Sequence, residues 1–296
     1  MKKTIFTGAG VALVTPMNQD GTVNYEKLKE IIDFQIENST DAIIACGTTA
    51  ESATMSHEEH KQVMKFIIDY VNKRVPVIAG TGSNETYFAA DLSIYAEKCG
   101  ADALLIVTPY YNKTSQEGLI EHFKYIADRV NIPIILYNVP SRTGLNIAPE
   151  TYKELSKHKN IVATKEASGD LSQVAKIKAL CGDDLDIYSG NDDQIVPILS
   201  LGGKGVISVL SNVAPKVAHD ICQEYFDGNV KESARLQIEY LDLINNLFIE
   251  VNPTPVKEAL NIMGYEVGEC RLPLVKPTKE HCEIIKNSLK KHGLVK

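Results

Sequence analysis

The chain has 296 residues, 44% of them hydrophobic and 23% charged, with a formal net charge of −7, enough for one large core or two medium ones. The acidic balance and the lack of any long basic run exclude a nucleic-acid partner held by its phosphates, and no apolar stretch reaches the ~18–20 residues of a membrane span. Cys46, Cys99, Cys181, Cys222, Cys270 and Cys282 are scattered with no C-x-x-C pair, and no secretory apolar segment follows Met1-Lys2-Lys3, a pattern expected of reduced thiols in a cytoplasm.

Short apolar runs rich in β-formers lie at 10–16, 42–46, 76–79, 103–109, 132–138, 161–165, 186–189 and 205–209, and each is followed by a segment of helical periodicity. Nearly continuous apolar strands alternating with helices predict a parallel sheet covered on its outside, and eight such units suit an α/β fold of the closed (β/α)8 TIM-barrel type. A doubly wound open sheet is the alternative, but no G-x-G-x-x-G follows the first run. Asn24, Ser56 with Glu59 three residues on, Ser115 before Gly118, and Pro149-Glu150 have the character of helix caps or first turns. From Ala214 onward only amphipathic helical segments follow, broken at Asn252-Pro253-Thr254-Pro255 and at Leu272-Pro273. The expected organisation is a barrel over residues 1–228 and a small all-helical appendage of two or three helices over 229–296, packed on the barrel or on a neighbouring subunit.

In such a barrel the site is built at the C-terminal ends of the strands. Those ends carry Gly47-Thr48-Thr49-Ala50-Glu51-Ser52, Thr108-Pro109-Tyr110-Tyr111-Asn112, Tyr137-Asn138-Val139-Pro140-Ser141-Arg142-Thr143-Gly144, and Ser189-Gly190-Asn191-Asp192. Lys165 stands inside the run Ile161-Val162-Ala163-Thr164-Lys165, where Val or Ile would be ordinary. An ammonium is costly to desolvate, so this lysine is paired, neutral or reactive, or else its stem packs while its head reaches the surface. A neutral amine attacks carbonyls to form Schiff bases. Hydroxyls and backbone N–H groups for a carboxylate, phenols for proton relay, a fixed cation and a buried lysine thus fall at one end of one barrel.

Each motif also has a plainer reading. Gly-Thr-Thr after a strand is a common turn, a Tyr pair after Pro is often packing, and an arginine in a Ser-Arg-Thr-Gly loop is often only solvated. His57, His60, His122, His158, His219, His281 and His292 are dispersed, so no metal site is expected, and His57-Glu58-Glu59-His60 reads as a polar helix surface. Gly202-Gly203-Lys204-Gly205 precedes a strand, at the end of the barrel away from the site, and reads as a turn rather than a phosphate cradle.

Gly47-Thr48-Thr49-Ala50-Glu51-Ser52, Tyr137-Asn138-Val139-Pro140 and the strand-borne Lys165 resemble the pyruvate-dependent class I aldolase superfamily that includes N-acetylneuraminate lyase. Within it, Thr108-Pro109-Tyr110-Tyr111-Asn112 and Pro140-Ser141-Arg142-Thr143-Gly144 are similar to the dihydrodipicolinate synthase family, over nearly the whole chain. The resemblance implies condensation of pyruvate with L-aspartate 4-semialdehyde in diaminopimelate and lysine biosynthesis, with no cofactor beyond the covalent Schiff base on Lys165. It implies that Tyr137 is the proton donor and acceptor beside the imine, with Thr48 and Tyr111 completing the relay and Tyr111 arriving from an adjacent subunit. Thr48 and Thr49 match the positions that hold the pyruvate carboxylate, Arg142 the one that receives the second substrate's carboxylate, and Gly190 and Ile207 positions lining the pyruvate pocket. A homodimer or a homotetramer built as a dimer of dimers is implied, with no nucleic acid or membrane partner.

Ser52, Ala53, His57, His60, Asn84 and Tyr110 match a dimer-cleft site for an effector, L-lysine, in sensitive members of the family. At the position where those members place a Glu, this chain has Phe88, so weak or absent lysine inhibition is expected. Ala50 stands where the family commonly has Gly, which restricts the backbone if that position needs positive φ. A sialic acid or keto-deoxy-sugar aldolase of the same superfamily is the alternative, as is a catalytically dead barrel that only binds a metabolite.

Overall fold

The computed structural model describes residues 2–296. Eight parallel strands close into a barrel in chain order: β1 (Gly8–Ala12), β2 (Ala42–Ala45), β3 (Val77–Gly80), β4 (Ala103–Val107), β5 (Ile134–Asn138), β6 (Ile161–Glu166), β7 (Asp186–Ser189) and β8 (Gly205–Ser208), with β8 pairing back to β1. These are the short buried runs seen in the sequence, buried on both faces because helices cover the outside of the barrel. Asn24, Ser56 and Ser115 are N-caps, their side chains accepting the N–H groups of Lys27, Glu59 and Gly118.

The first strand begins and ends earlier than its apolar run, which extends from 10 to 16. Gly8 pairs with Gly205, where a Cβ on Gly205 would lie 1.9 Å from the Gly8 carbonyl oxygen, so only glycine permits this approach. Past Ala12 the chain stays buried while leaving the ladder, and the Val14 N–H donates instead to Asn212 Oδ1 at 3.1 Å. Burial outlasts pairing there, and an apolar run reports only burial.

Side chains fill the barrel. Phe6 stacks on Tyr188 with ring centroids 4.4 Å apart, and the Tyr188 hydroxyl donates to the Phe6 carbonyl at 2.6 Å. Ala12, Ile44, Ile78, Leu105, Ile135, Ala163 and Ile207 pack with them, apart from the larger layer between strands and helices. After the helix Pro215–Phe226, which packs against β1, four helical segments follow among the described residues, Val230–Glu239, Leu241–Asn246, Thr254–Ile262 and Lys279–Lys291. That exceeds the two or three expected, because the first two abut at Tyr240 and read as a single amphipathic stretch. No described helix is long and apolar enough to cross a membrane.

Candidate active site

One irregularity in the sheet places the lysine. β5 and β6 pair Ile134 with Ile161 but Ile135 with Ala163, so Val162 is an extra residue, a bulge in β6. Beyond it the register is Leu136 to Thr164 and Tyr137 to Lys165. Without the bulge Thr164 would lie beside Tyr137. With it, the Lys165 Nζ lies 4.3 Å from the centroid of the Tyr137 ring. Lys165 is 6% exposed and Tyr137 equally buried.

Gly190, at the end of β7, closes on this pair. Its N–H donates to the Glu166 carbonyl at 2.8 Å, and a methyl group there would lie 2.6 Å from Ala167 Cβ and 3.2 Å from Lys165 Cε. Any larger residue would displace the lysine stem. Ile207 of β8 belongs to the same interior cluster as Tyr137. Behind Lys165, the Glu166 carboxylate points outward and accepts hydrogen bonds from Asn138 Nδ2, the Tyr152 hydroxyl, Gln173 Nε2 and the Ser168 N–H. Burial, and secondarily this carboxylate, push the Tyr152 phenol well above its usual range, so it remains a donor and holds the end of β6 in place.

The second group surrounds the loop after β2. The N–H groups of Ala50 and Ser52 close on the Gly47 carbonyl and that of Glu51 on the Thr48 carbonyl, whereas those of Thr48 and Thr49 have no acceptor within the described chain. Two free N–H groups and two hydroxyls make a concavity suited to a carboxylate. The left-handed residues here are Cys46 (φ 55) and Glu51 (φ 61); Ala50 is not among them, so its methyl group is accommodated without strain. Thr48 and Arg142 line a single cavity of about 270 Å³ together with Tyr110, Val139 and Thr143. Ser52, Ala53, His60 and Phe88 line it too, so carboxylate loop and candidate effector residues share one hollow. A larger groove of about 1020 Å³ runs between Met17–Lys27 and Glu258–Lys276, with Lys27, Arg271 and Lys276 set against Glu258, Glu266 and Glu269.

Tyr111, His57 and Asn84 stand apart from the cavity that His60 lines. Tyr111 is 92% exposed with φ 70, on the outside of its own chain. The ring of His57 packs edge-on against Phe88 with centroids 4.2 Å apart, while its Nε2 lies 2.8 Å from Asp91. Asn84 meets its neighbours through its carbonyl, which accepts from Asn112 Nδ2. His60 is bound to the Gly80 carbonyl at 2.8 Å and is held below its usual pKa by burial. His57 and His60 are thus engaged with different partners.

Three contributors are hard to see in the sequence. Asn252 Nδ2 donates to Thr49 Oγ1 at 3.0 Å, and the Asn252 carbonyl accepts from Arg142 Nη2 at 3.1 Å, tying the two candidate carboxylate-binding residues together. Only its place in a Pro-flanked break hinted at a special backbone. Asp192 is fully buried and its carboxyl is pushed up by burial, opposed by hydrogen bonds from Ser208 and the N–H groups of Leu210 and Val209 and by the charge of Lys165. Glu51 forms a buried ion pair with Lys257 at 2.8 Å.

A closed parallel barrel with a buried strand lysine, a tyrosine in register beside it and a carboxylate cradle at the same end has the equipment of a lyase that works through a Schiff base. The comparisons agree. The Dihydrodipicolinate synthetase family model matches residues 5–292. The 4-hydroxy-tetrahydrodipicolinate synthase of Acetivibrio thermocellus is 58% identical over 295 residues, covering 100% of both chains. The chloride-inhibited dihydrodipicolinate synthase of Acinetobacter baumannii, solved with pyruvate, superposes with a TM-score of 0.96 at 43% identity, covering 99% of this chain and 100% of the other. The enzyme of Cyanidioschyzon merolae solved with lysine bound gives 0.96 at 39% identity, with the same coverage. The chain belongs to the dihydrodipicolinate synthetase family.

Proposed function

We infer that this chain is a 4-hydroxy-tetrahydrodipicolinate synthase, condensing pyruvate with L-aspartate 4-semialdehyde in diaminopimelate and lysine biosynthesis. The observation that carries the assignment of roles is the register pairing of Lys165 with Tyr137, 4.3 Å from ammonium to ring. The Lys165 amine attacks the pyruvate carbonyl and water leaves, giving an imine. The imine is the electron sink, so loss of a methyl proton yields an enamine, and no metal or organic cofactor is called for. The enamine carbon attacks the aldehyde, whose oxygen takes up a proton. The amine of the second substrate then displaces Lys165 and closes the ring. Tyr137 stands where protons must be exchanged at the imine, and Thr48 and Thr49 receive the pyruvate carboxylate. Arg142 takes the second carboxylate, for which a planar guanidinium is suited.

Tyr111 completes the relay from a second copy of the chain. In its own protomer Tyr111 is 92% exposed on a left-handed backbone, which supports a role towards a neighbouring copy. The working unit is therefore a homodimer at least, and a homotetramer formed from two such dimers in the cytoplasm. Arg142 favours this substrate over a sugar, which needs a longer polyhydroxyl site. Incubation with pyruvate and borohydride is expected to add one pyruvate-derived mass, abolished in Lys165→Ala, and a panel of aldehyde substrates then separates synthase from sugar aldolase. Labelling at another lysine, or none, refutes the assignment.

A further inference from the structure

The loop carrying Thr48 and Thr49 is short and closed on its own carbonyls, with Glu51 as its pivot in a left-handed conformation (φ 61). A non-glycine residue stays there only where its surroundings over-determine it. What determines it lies 206 residues further along the chain. Glu51 Oε1 accepts from Lys257 Nζ at 2.8 Å, and Oε2 from the N–H of Arg271 at 2.7 Å. The Lys257 ammonium also donates to the Glu269 carbonyl at 2.8 Å, and the two side chains of the pair are 1–2% exposed. The Arg271 guanidinium grips both oxygens of Glu59 at 2.6 Å, at the start of the helix His57–Val71 that follows the loop. Residues of the C-terminal helical region therefore hold the loop at its pivot and just beyond it.

An ion pair buried this deeply adds little stability over apolar packing, because both ions surrender their water. Its use is geometric: it fixes where Glu51 sits, and through the Glu51 N–H bond to the Thr48 carbonyl it sets the two threonines. We propose that Glu51 and Lys257 are a positioning pair through which the C-terminal helical region holds the Thr48-Thr49 loop in its carboxylate-binding geometry, so that the pair governs pyruvate affinity rather than the chemistry on Lys165. This rests on the function proposed above.

The test compares wild type, E51Q, K257M and E51Q/K257M in thermal stability, in KM and kcat for pyruvate, and in borohydride trapping. K257M strands a buried carboxylate and loses stability, whereas the double variant leaves no unpaired charge and regains part of that loss. The pyruvate KM of the double variant stays raised, on the order of 10- to 100-fold, the size expected when a positioned group is displaced by up to about an ångström, and kcat falls by less, because Thr48 also serves the proton relay. E51Q keeps the volume and an acceptor, and shows a smaller rise in the same direction. A double variant or an E51Q enzyme with wild-type KM, or with a loss confined to kcat, overturns the proposal. A wild-type enzyme that traps no pyruvate overturns instead the function on which it rests.

Discussion

Replacing Phe88 by glutamate is expected to increase sensitivity to L-lysine. Phe88 lines the same cavity as Ser52, Ala53, His60 and Tyr110, is 38% exposed, and packs edge-on against His57. The nearby acid is committed elsewhere: the Glu85 carboxylate caps its own helix, accepting the N–H groups of Tyr87 and Phe88. A carboxylate at 88 facing the ammonium of lysine is worth about 1.5–3 kcal/mol when partly buried, and the ring it replaces gives up a cation–π contact of about 0.5–1 kcal/mol. With the partial exposure of the site favouring the lower half of that range, the net gain is about 0.5–1.8 kcal/mol, or a ~2- to 20-fold lower inhibitory concentration. His57 Nδ1 is buried without a partner and competes for the new carboxylate, which also argues for the lower figure. Initial rates across a lysine titration, with Phe88→Gln as the neutral control, measure the effect. Strong inhibition of the wild-type enzyme at sub-millimolar lysine, or a Glu variant no more sensitive than the Gln control, would refute the reasoning.

Arg142→Ala is expected to lower kcat/KM for aspartate semialdehyde by roughly 30- to 150-fold, about 2–3 kcal/mol, while the pyruvate adduct still forms; loss of the adduct would give Arg142 another role. Mixing Tyr111→Phe with Lys165→Ala subunits under exchange is expected to restore activity above either parent, and mixed dimers no more active than the parents would place Tyr111 in its own chain's site. Acid stability follows His122, whose Nδ1 lies 2.9 Å from Thr86 Oγ1 and whose Nε2 is buried unpartnered. Burial pushes its pKa down from 6.5 to about 4. The unfolded chain therefore binds the proton first, and stability present above about pH 6.5 is lost as the pH falls towards 4, by up to about 3 kcal/mol. Chemical denaturation of His122→Gln against wild type at pH 7 and pH 4.5 is expected to show a shallower loss in the variant, and an equal loss would assign the acid sensitivity elsewhere.

The barrel, and the strand ends that carry the candidate site residues, are legible along the chain because the relevant signals are local. Strands buried on both faces appear as unbroken apolar runs, and capping by Asn24, Ser56 and Ser115 is a matter of three residues. Lys165 is conspicuous because an ammonium is costly to desolvate in such a run. β1 ends at Ala12 rather than at Pro16 because apolar character records burial, and residues 13–16 remain buried after leaving the ladder.

Other features arose only in three dimensions. The bulge at Val162, which gives Lys165 rather than Thr164 to Tyr137, depends on how β6 meets β5, and no periodicity within either strand encodes it. The left-handed turn falls at Glu51 instead of Ala50, and the Glu51 carboxylate meets Lys257 and the Arg271 N–H in the C-terminal helical region. Asn252 meets Thr49 and Arg142 across 203 and 110 residues of chain. Side-chain chemistry and hydrophobic period are written residue by residue, so the sequence determined which groups are available and on which strand each is carried. Register and contacts across the fold depend on pairs of distant residues and on the packing that brings them together, so the tertiary structure alone decided which of those groups meet.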